Sequence, residues 1–161
     1  MSNDEKYLLV LGIGNLLLTD EGLGVHAVKT LLQEEWPAGV EFADGGTWTQ
    51  DMVFWIKDYK QLLVLDVVKA GREPGTMYRF TEDDLRSDES QRLSLHDIDL
   101  LDSLNMAGMI GAKPELTVLG MEPKDFTTWT MEMTPTVQSA FPKYLEVVRK
   151  EIRAILDRKM Q

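Results

Sequence analysis

Three side chains have the types and positions that could do chemistry together: Glu21, Asp66 and His96. Glu21 follows a short apolar run that ends in the glycine pair Gly12 and Gly14, and Asp66 is the only polar residue of an otherwise apolar run. A buried carboxylate costs roughly several kcal/mol of desolvation unless a partner compensates it. These acids are therefore either structural groups that cap helices and accept backbone N–H bonds, or ligands of a cation.

A divalent cation is the partner that would suit these residues best. Two neighbouring carboxylates raise each other's proton affinity, and a dication removes that conflict. His96 is predicted in the first turn of a helix, where the helix dipole keeps an imidazole neutral and able to bind metal. Two oxygens and one nitrogen suit zinc, nickel or a similar ion and leave coordination positions open. His26 competes only weakly, because it lies five residues after Glu21 and points away from it on a helix.

The elements that position these residues alternate between strand and helix patterns. Predicted strands cover residues 7–13, 40–43, 62–66, 75–80 and 116–121, and predicted helices cover 21–35 and 50–57, with one starting near Ser94 and one at Thr134-Pro135. Only eight residues, 67–74, separate the third and fourth strands, which is too few for a parallel crossover. We therefore expect an α/β three-layer sandwich, with a mostly parallel central sheet, one antiparallel strand and helices on both faces. Residues 81–91 read as an acidic surface loop.

The carboxyl ends of the first and third strands are where this fold class binds ligands, at the switch point of strand order. Glu21 and Asp66 are the groups just past those two strands. A dinucleotide site is an alternative, because a glycine loop follows the first strand and Asp44 follows the second. Against it, Leu17 stands where the third fingerprint glycine would fall, and acids at the helix start repel phosphate.

Composition excludes several functions. The 161 residues are ordinary in size for one domain, predicted as 1–161, and their net charge of -10 disfavours nucleic acid and anionic membranes. There is no cysteine, so a thiolate nucleophile or ligand is excluded. The polar start of the chain lacks a signal or membrane segment, which favours the cytoplasm. We expect a monomer.

Six segments together resemble one known family, the nickel–iron hydrogenase maturation endopeptidases. The segments are Gly12-Ile-Gly-Asn15, Asp20-Glu21-Gly22-Leu23-Gly24, Asp44-Gly-Gly-Thr47, Leu65-Asp66, Ser94-Leu95-His96 and Gly120-Met-Glu-Pro123. They occur in order from about Tyr7 to the last helix, so the resemblance covers nearly the whole chain. The first two segments carry most of its specificity.

The resemblance implies an enzyme that removes a C-terminal peptide from the hydrogenase large-subunit precursor after nickel has been inserted. Glu21, Asp66 and His96 match the residues taken to contact that nickel, which is carried by the substrate, so no tightly bound cofactor is expected. Asp44 matches an acid thought to matter for substrate handling or cleavage. Either a carboxylate base, Asp44 or Asp66, or a metal-polarised carbonyl would assist the attack of water.

Two further points stay open in the sequence. A non-cleaving chaperone that checks the metal of the precursor would use the same residues. Adaptable apolar side chains crowd the connection before the last helix, and they either form a face that grips the large subunit or cover the core. They are Phe126, Trp129, Met131 and Met133.

Overall fold

The computed structural model describes residues 6–46, 52–87 and 97–160. Five strands and five α-helices follow one another along these residues. The strands are β1 (Leu8–Ile13), β2 (Val40–Gly46), β3 (Gln61–Val67), β4 (Met77–Thr81) and β5 (Glu115–Met121). The helices are α1 (Leu23–Leu31), α2 (Met52–Ile56), α3 (Glu82–Ser87), α4 (Asp97–Ile110) and α5 (Pro135–Lys159), and a short 3-10 helix, Thr19–Gly22, precedes α1.

One five-stranded sheet has the order β2-β1-β3-β5-β4. Strand β1 pairs in parallel with β2 and β3, and β3 pairs in parallel with β5. Strand β4 runs antiparallel to β5. The predicted sheet is therefore confirmed, including its one antiparallel strand, and the switch point lies between β1 and β3.

Apolar side chains pack on both faces of this sheet, which makes the fold three-layered. Helices α1 and α5 cover one face, where residues such as Leu8, Leu63 and Tyr144 are buried. Helices α2 and α4 cover the other, around residues such as Leu9 and Leu62. Because neighbouring residues of β1 and β3 belong to opposite cores, both central strands are buried on both sides. Within the described residues, no helix is long and apolar enough to cross a membrane.

The start of the first helix differs from its prediction. A helix over 21–35 with a capping side chain at Thr19 or Asp20 was expected, whereas the structure has the 3-10 helix followed by α1, which ends at Leu31. No side chain caps either helix. The physical reason is that the polar groups of Thr19 and Asp20 bond to a distant segment instead, as described below.

Three other boundaries are corrected. Strand β2 extends to Gly46, past an irregularity at which Gly12 pairs with Asp44 and Ile13 pairs with Gly46, so Asp44 lies in the strand and not after it. The predicted loop 81–91 contains helix α3, whose first turn holds three acids that favour a helix N-terminus. Residues 47–51 and 88–96 lie outside the described part, so the predicted starts of the second and third helices are not tested.

The last helix begins where it was predicted. Thr134 occupies the N-cap position with extended backbone angles, and proline fills the first turn, where it needs no N–H partner. The Thr134 side chain makes no cap bond, however. Its hydroxyl bonds to Asp20 across the molecule.

Candidate active site between strands β1 and β3

Glu21 and Asp66 come together around Gly14. A β-carbon on this glycine would overlap the Glu21 carbonyl oxygen and would lie 3.8 Å from Asp66 Oδ1. Gly14 also has φ of +137°, which side-chain-bearing residues rarely adopt. The loop after β1 therefore depends on glycine here to place the 3-10 helix against the end of β3. The backbone of Glu21 and the carboxylate of Asp66 therefore lie at the same loop, while the convergence of the two carboxylates on one ligand stays a prediction.

Gly24 brings the start of α1 against the same two strands. A β-carbon here would overlap the Leu65 carbonyl oxygen and would lie 2.8 Å from the Ile13 carbonyl oxygen. The helix backbone therefore packs directly on the carboxyl ends of β1 and β3. This close packing explains why glycine follows the Asp20-Glu21 pair so soon in the sequence.

Asp20 is a fully buried structural acid. Its Oδ2 accepts backbone N–H bonds from Lys124 at 2.9 Å and Asp125 at 3.0 Å. Its Oδ1 accepts the Thr134 N–H at 2.8 Å, and the Thr134 hydroxyl donates to the same carboxylate. Asp20 is therefore a structural acid, but the predicted helix cap is wrong, because its carboxylate ties the β5–α5 connection to the 3-10 helix instead.

Thr19 holds the 3-10 helix in a strained backbone. Its φ is +54°, which is uncommon for a β-branched residue. The Thr19 hydroxyl donates to the Thr128 carbonyl, and its N–H donates to the Thr130 carbonyl at 2.9 Å. Strain of this kind persists only where surrounding bonds fix it, and it clusters at functional sites.

Glu21 has a different environment from its neighbour Asp20. Its side chain is about one-tenth exposed, and its Oε2 lies 3.3 Å from Lys69 Nζ. The same ammonium lies 4.0 Å from the centroid of the Phe126 ring. Glu21 is thus a nearly buried carboxylate paired with a cation on a flexible side chain.

Asp66 is completely buried at the end of β3. Its Oδ1 accepts the Val67 N–H at 2.8 Å, as the structural interpretation of this acid requires. Tyr144 lies in the core beneath, and burial followed by the charge of Asp66 raises the pKa of this phenol well above its usual value. The Tyr144 hydroxyl donates to the Leu119 carbonyl at 2.7 Å. The Tyr144 phenol therefore stays protonated in the core near Asp66.

Asp44 lies on the other side of β1. Gly12 of β1 pairs with Asp44 of β2 on one side and with Leu65 of β3 on the other. Two strand spacings, about 10 Å, therefore separate the backbones of Asp44 and the end of β3. Asp44 is exposed, and its Oδ1 accepts the Gly46 N–H at 2.8 Å, which orients the carboxylate.

His96 lies outside the described residues, so its predicted place as a third ligand is not tested. Among the residues that the structure does describe, no group of three or more histidine and acidic side chains is arranged to hold a metal. His26, the other histidine, lies on α1 with Nε2 3.0 Å from the Met131 carbonyl oxygen. It is engaged with the β5–α5 connection and not with Glu21.

Glu122 and Lys69 are the residues near this edge that sequence reasoning missed. Glu122 is buried, and its Oε1 accepts N–H bonds from Ala70 at 3.0 Å and Arg72 at 3.1 Å. The Tyr78 hydroxyl donates to the same oxygen at 2.6 Å. This acid therefore fixes the loop that carries Lys69. A signal was available, because both residues follow the carboxyl ends of central strands, where ligand sites form.

An exposed apolar surface borders the site. Trp129 is 71% exposed, Met131 54% and Phe126 38%, whereas Met133 is buried at 9%. Backbone bonds join this segment to the site loop, since the Thr130 N–H donates to the Leu17 carbonyl at 2.9 Å. The core-covering interpretation therefore holds for Met133, while the other three side chains are exposed, and Phe126 contacts the ammonium that pairs with Glu21.

The architecture and the position of its acids define an α/β protein of the class whose ligands bind at a switch point. Comparisons with known proteins specify the class further. The hydrogenase maturation protease family matches residues 25–151. The hydrogenase expression/formation protein HupD of Rhizobium leguminosarum is 34% identical over 150 residues, which cover 91% of this chain and 74% of that protein.

Two relatives from Escherichia coli agree with this match. The hydrogenase 2 maturation protease is 33% identical over 149 residues, covering 91% of this chain and 90% of the relative. The solved structure of the hydrogenase maturating endopeptidase HybD has a TM-score of 0.82 at 32% identity, covering 92% and 93% of the two chains. The chain belongs to the hydrogenase maturation protease family, and it is a peptidase of hydrogenase maturation.

Proposed function

We propose that this peptidase removes the C-terminal extension of a nickel–iron hydrogenase large-subunit precursor after nickel insertion, and that it recognises the precursor through its nickel. The observation that supports the proposal is the approach of the Glu21 backbone and the Asp66 carboxylate to Gly14, at the switch point of the sheet. Two buried acids on neighbouring elements there suit a dication that arrives with the substrate. His96 is proposed as the third contact.

An incomplete ligand set is physically apt for sensing a metal that other ligands already hold. Glu21 and Asp66 supply oxygen donors, which leave most coordination positions to the precursor. The nickel is therefore part of the substrate in this proposal. Docking through it fixes the scissile peptide near the edge of the sheet, and such positioning supplies much of the rate.

Asp44 is the favoured general base. Its carboxylate is exposed and oriented by the Gly46 N–H, whereas Asp66 is assigned to the nickel in this proposal. In the proposed step, Asp44 accepts a proton from water as the water oxygen bonds to the scissile carbonyl carbon. Collapse of the tetrahedral intermediate breaks the C–N bond, and the proton passes to the leaving amine. A carbonyl polarised by the precursor's nickel would assist the same attack.

The exposed apolar surface formed by Phe126, Trp129 and Met131 is the proposed docking face for the large subunit. Its Phe126 ring contacts the Lys69 ammonium that pairs with Glu21, and its methionine can adapt to a partner. Fluorescence quenching of Trp129 tests this assignment. We expect strong quenching by acrylamide that decreases when the precursor is added, and an indole equally quenched in both states would contradict it.

The experiment for the site itself is a processing assay read by mass spectrometry. Glu21→Gln, Asp66→Asn and His96→Ala should each slow removal of the C-terminal peptide by about tenfold to a hundredfold, because each removes a contact to the precursor's nickel. Glu146→Gln, an exposed acid on α5, is the matched control and should cleave at the wild-type rate. Wild-type rates for all three site variants would show that the assignment is wrong. A precursor that is bound but left uncut by the wild-type protein would favour the chaperone.

A further inference from the structure

Lys69 has a place in the site that the proposed cleavage does not use. Its Nζ lies 3.3 Å from Glu21 Oε2, and the lysine side chain is 28% exposed while that of the glutamate is 10% exposed. A nearly buried carboxylate needs a compensating charge, and this ammonium supplies it. A dication that bound Glu21 through both carboxylate oxygens would have to displace this ammonium.

The ammonium is restrained from two directions. On one side, the Phe126 ring centroid lies 4.0 Å from Nζ, within the range of a cation–π contact. On the other, the backbone that carries the lysine is fixed, because the Val68 N–H donates to Met121 at 3.0 Å and the Ala70 N–H donates to Glu122 at 3.0 Å. The ring contact and the fixed backbone therefore both favour the position of the ammonium at the Glu21 carboxylate.

We propose that Lys69 is a specificity-determining residue, whose ammonium occupies the Glu21 carboxylate and thereby lowers the affinity of the site for free divalent cations. The inference rests on the proposed function in one respect, namely that Glu21 is the carboxylate that meets nickel. A free ion that binds here must displace the lysine, and it gains only a few oxygen ligands in return. A nickel-loaded precursor also gains the contacts of its whole docking surface, so it displaces the lysine where a free ion does not.

The displaced ammonium can move into solvent. The lysine side chain is already 28% exposed, so it can leave both the Glu21 carboxylate and the Phe126 ring when a metal arrives. The exchange therefore needs only a side-chain movement, and the loop held by Glu122 stays in place. Lys69 discriminates loaded from unloaded partners without contributing a metal ligand of its own.

Calorimetric titration of the full chain with Ni²⁺ alone tests the inference. Lys69→Met should bind Ni²⁺ about fivefold more tightly than wild type, since removal of a partly exposed ion pair is worth about 1 kcal/mol. Lys69→Arg keeps the charge and should retain the wild-type affinity. Lys143→Met, an exposed lysine on α5, makes the same change in net charge and should not alter the affinity.

A double variant shows whether the lysine acts through Glu21. The gain of Lys69→Met should vanish in the Glu21→Gln background, because no carboxylate is left to release. Phe126→Leu removes the ring that holds the ammonium, so it should tighten Ni²⁺ binding about twofold in the wild type and not at all in Lys69→Met. It also keeps the inference testable if Lys69→Met fails to fold.

Several results would overturn the inference. They are an unchanged affinity in Lys69→Met and Phe126→Leu, an equal gain in Lys143→Met, or a gain that persists with Glu21→Gln. Processing of the loaded precursor separates this failure from failure of the proposed function. If the wild-type protein shortens the precursor but Lys69→Met binds Ni²⁺ no more tightly, the lysine inference alone is wrong. If the wild-type protein leaves the precursor intact, the proposed function is wrong.

Discussion

Asp20 and Glu21 are adjacent, both buried and both acidic, yet the structure gives them opposite surroundings. Asp20 accepts bonds from three backbone N–H groups and one hydroxyl. Glu21 has a lysine ammonium 3.3 Å away. Backbone donors on a fixed segment cannot be exchanged without unfolding that segment, whereas a lysine side chain can turn away. The comparison teaches that the partner of a buried acid, more than its burial, separates a structural carboxylate from one that can bind a ligand.

The largest effect that we predict concerns the structural acid. Asp20→Ala leaves the N–H groups of Lys124, Asp125 and Thr134 without their acceptor, so it should lower the free energy of unfolding by about 3–5 kcal/mol. The corresponding fall in melting temperature is about 10 °C. Urea unfolding followed by circular dichroism measures the change. A loss below about 1 kcal/mol would show that this network does not brace the fold.

Glu21→Gln should affect processing more than stability, which is the reverse of what we expect for Asp20→Ala. Its lysine partner is partly exposed, so the free energy of unfolding should change by no more than about 1 kcal/mol, while processing of the precursor falls. The two variants are compared in the same unfolding and cleavage assays. A loss of unfolding free energy in Glu21→Gln as large as that in Asp20→Ala would contradict this comparison, because Glu21 would then also be a structural residue.

Asp44→Asn should separate catalysis from recognition. An exposed base that only moves a proton should affect kcat by about a hundredfold and leave the KM for the loaded precursor nearly unchanged. Steady-state kinetics of peptide release measure both constants. A rise in KM at constant kcat would instead assign Asp44 to substrate handling.

The smallest effect is a dependence of stability on pH. Burial, opposed by the bond to Met131 and assisted by the charge of Lys29, lowers the pKa of His26 from its ordinary 6.5. The unfolded chain therefore gains a proton at a higher pH than the folded chain does. The contribution of His26 to stability is complete above pH 6.5 and is lost as the pH falls from 6.5 to the lowered pKa.

Unfolding in urea at closely spaced pH values between 7.5 and 5.5 measures this loss. His26→Gln lacks the titration and should show a flatter profile over the same window. Equal profiles for the two proteins would mean that His26 titrates alike in both states. This measurement bears on the comparison of Asp20 with Glu21, because His26 contacts the same β5–α5 connection that Asp20 holds.

The sheet was predictable because its signals are local. Apolar runs marked the strands, and the short predicted connection, residues 67–74, indicated the antiparallel direction of β4. That the segments carrying Glu21 and Asp66 meet also followed, since a parallel sheet collects such segments at its switch point. The start of α1 did not follow, because Asp20 bonds to residues more than a hundred positions away.

The partners of the acids could not be predicted for the same reason. An aspartate at position 20 is compatible in sequence with two arrangements. Its oxygens can accept bonds from the first turn of the following helix or from a distant backbone segment. The pairing of Lys69 with Glu21 depends on the course of the loop after β3, which Glu122 determines from another strand. Sequence thus indicated where the acids meet, and only the fold distinguished their roles.

The most direct test of the central claim is mass spectrometry of a hydrogenase large-subunit precursor incubated with this protein, with nickel-loaded and nickel-free precursor side by side. The proposed function predicts loss of a C-terminal peptide from the loaded precursor only. Equal shortening of both forms would contradict recognition through nickel. Two intact masses would contradict cleavage itself.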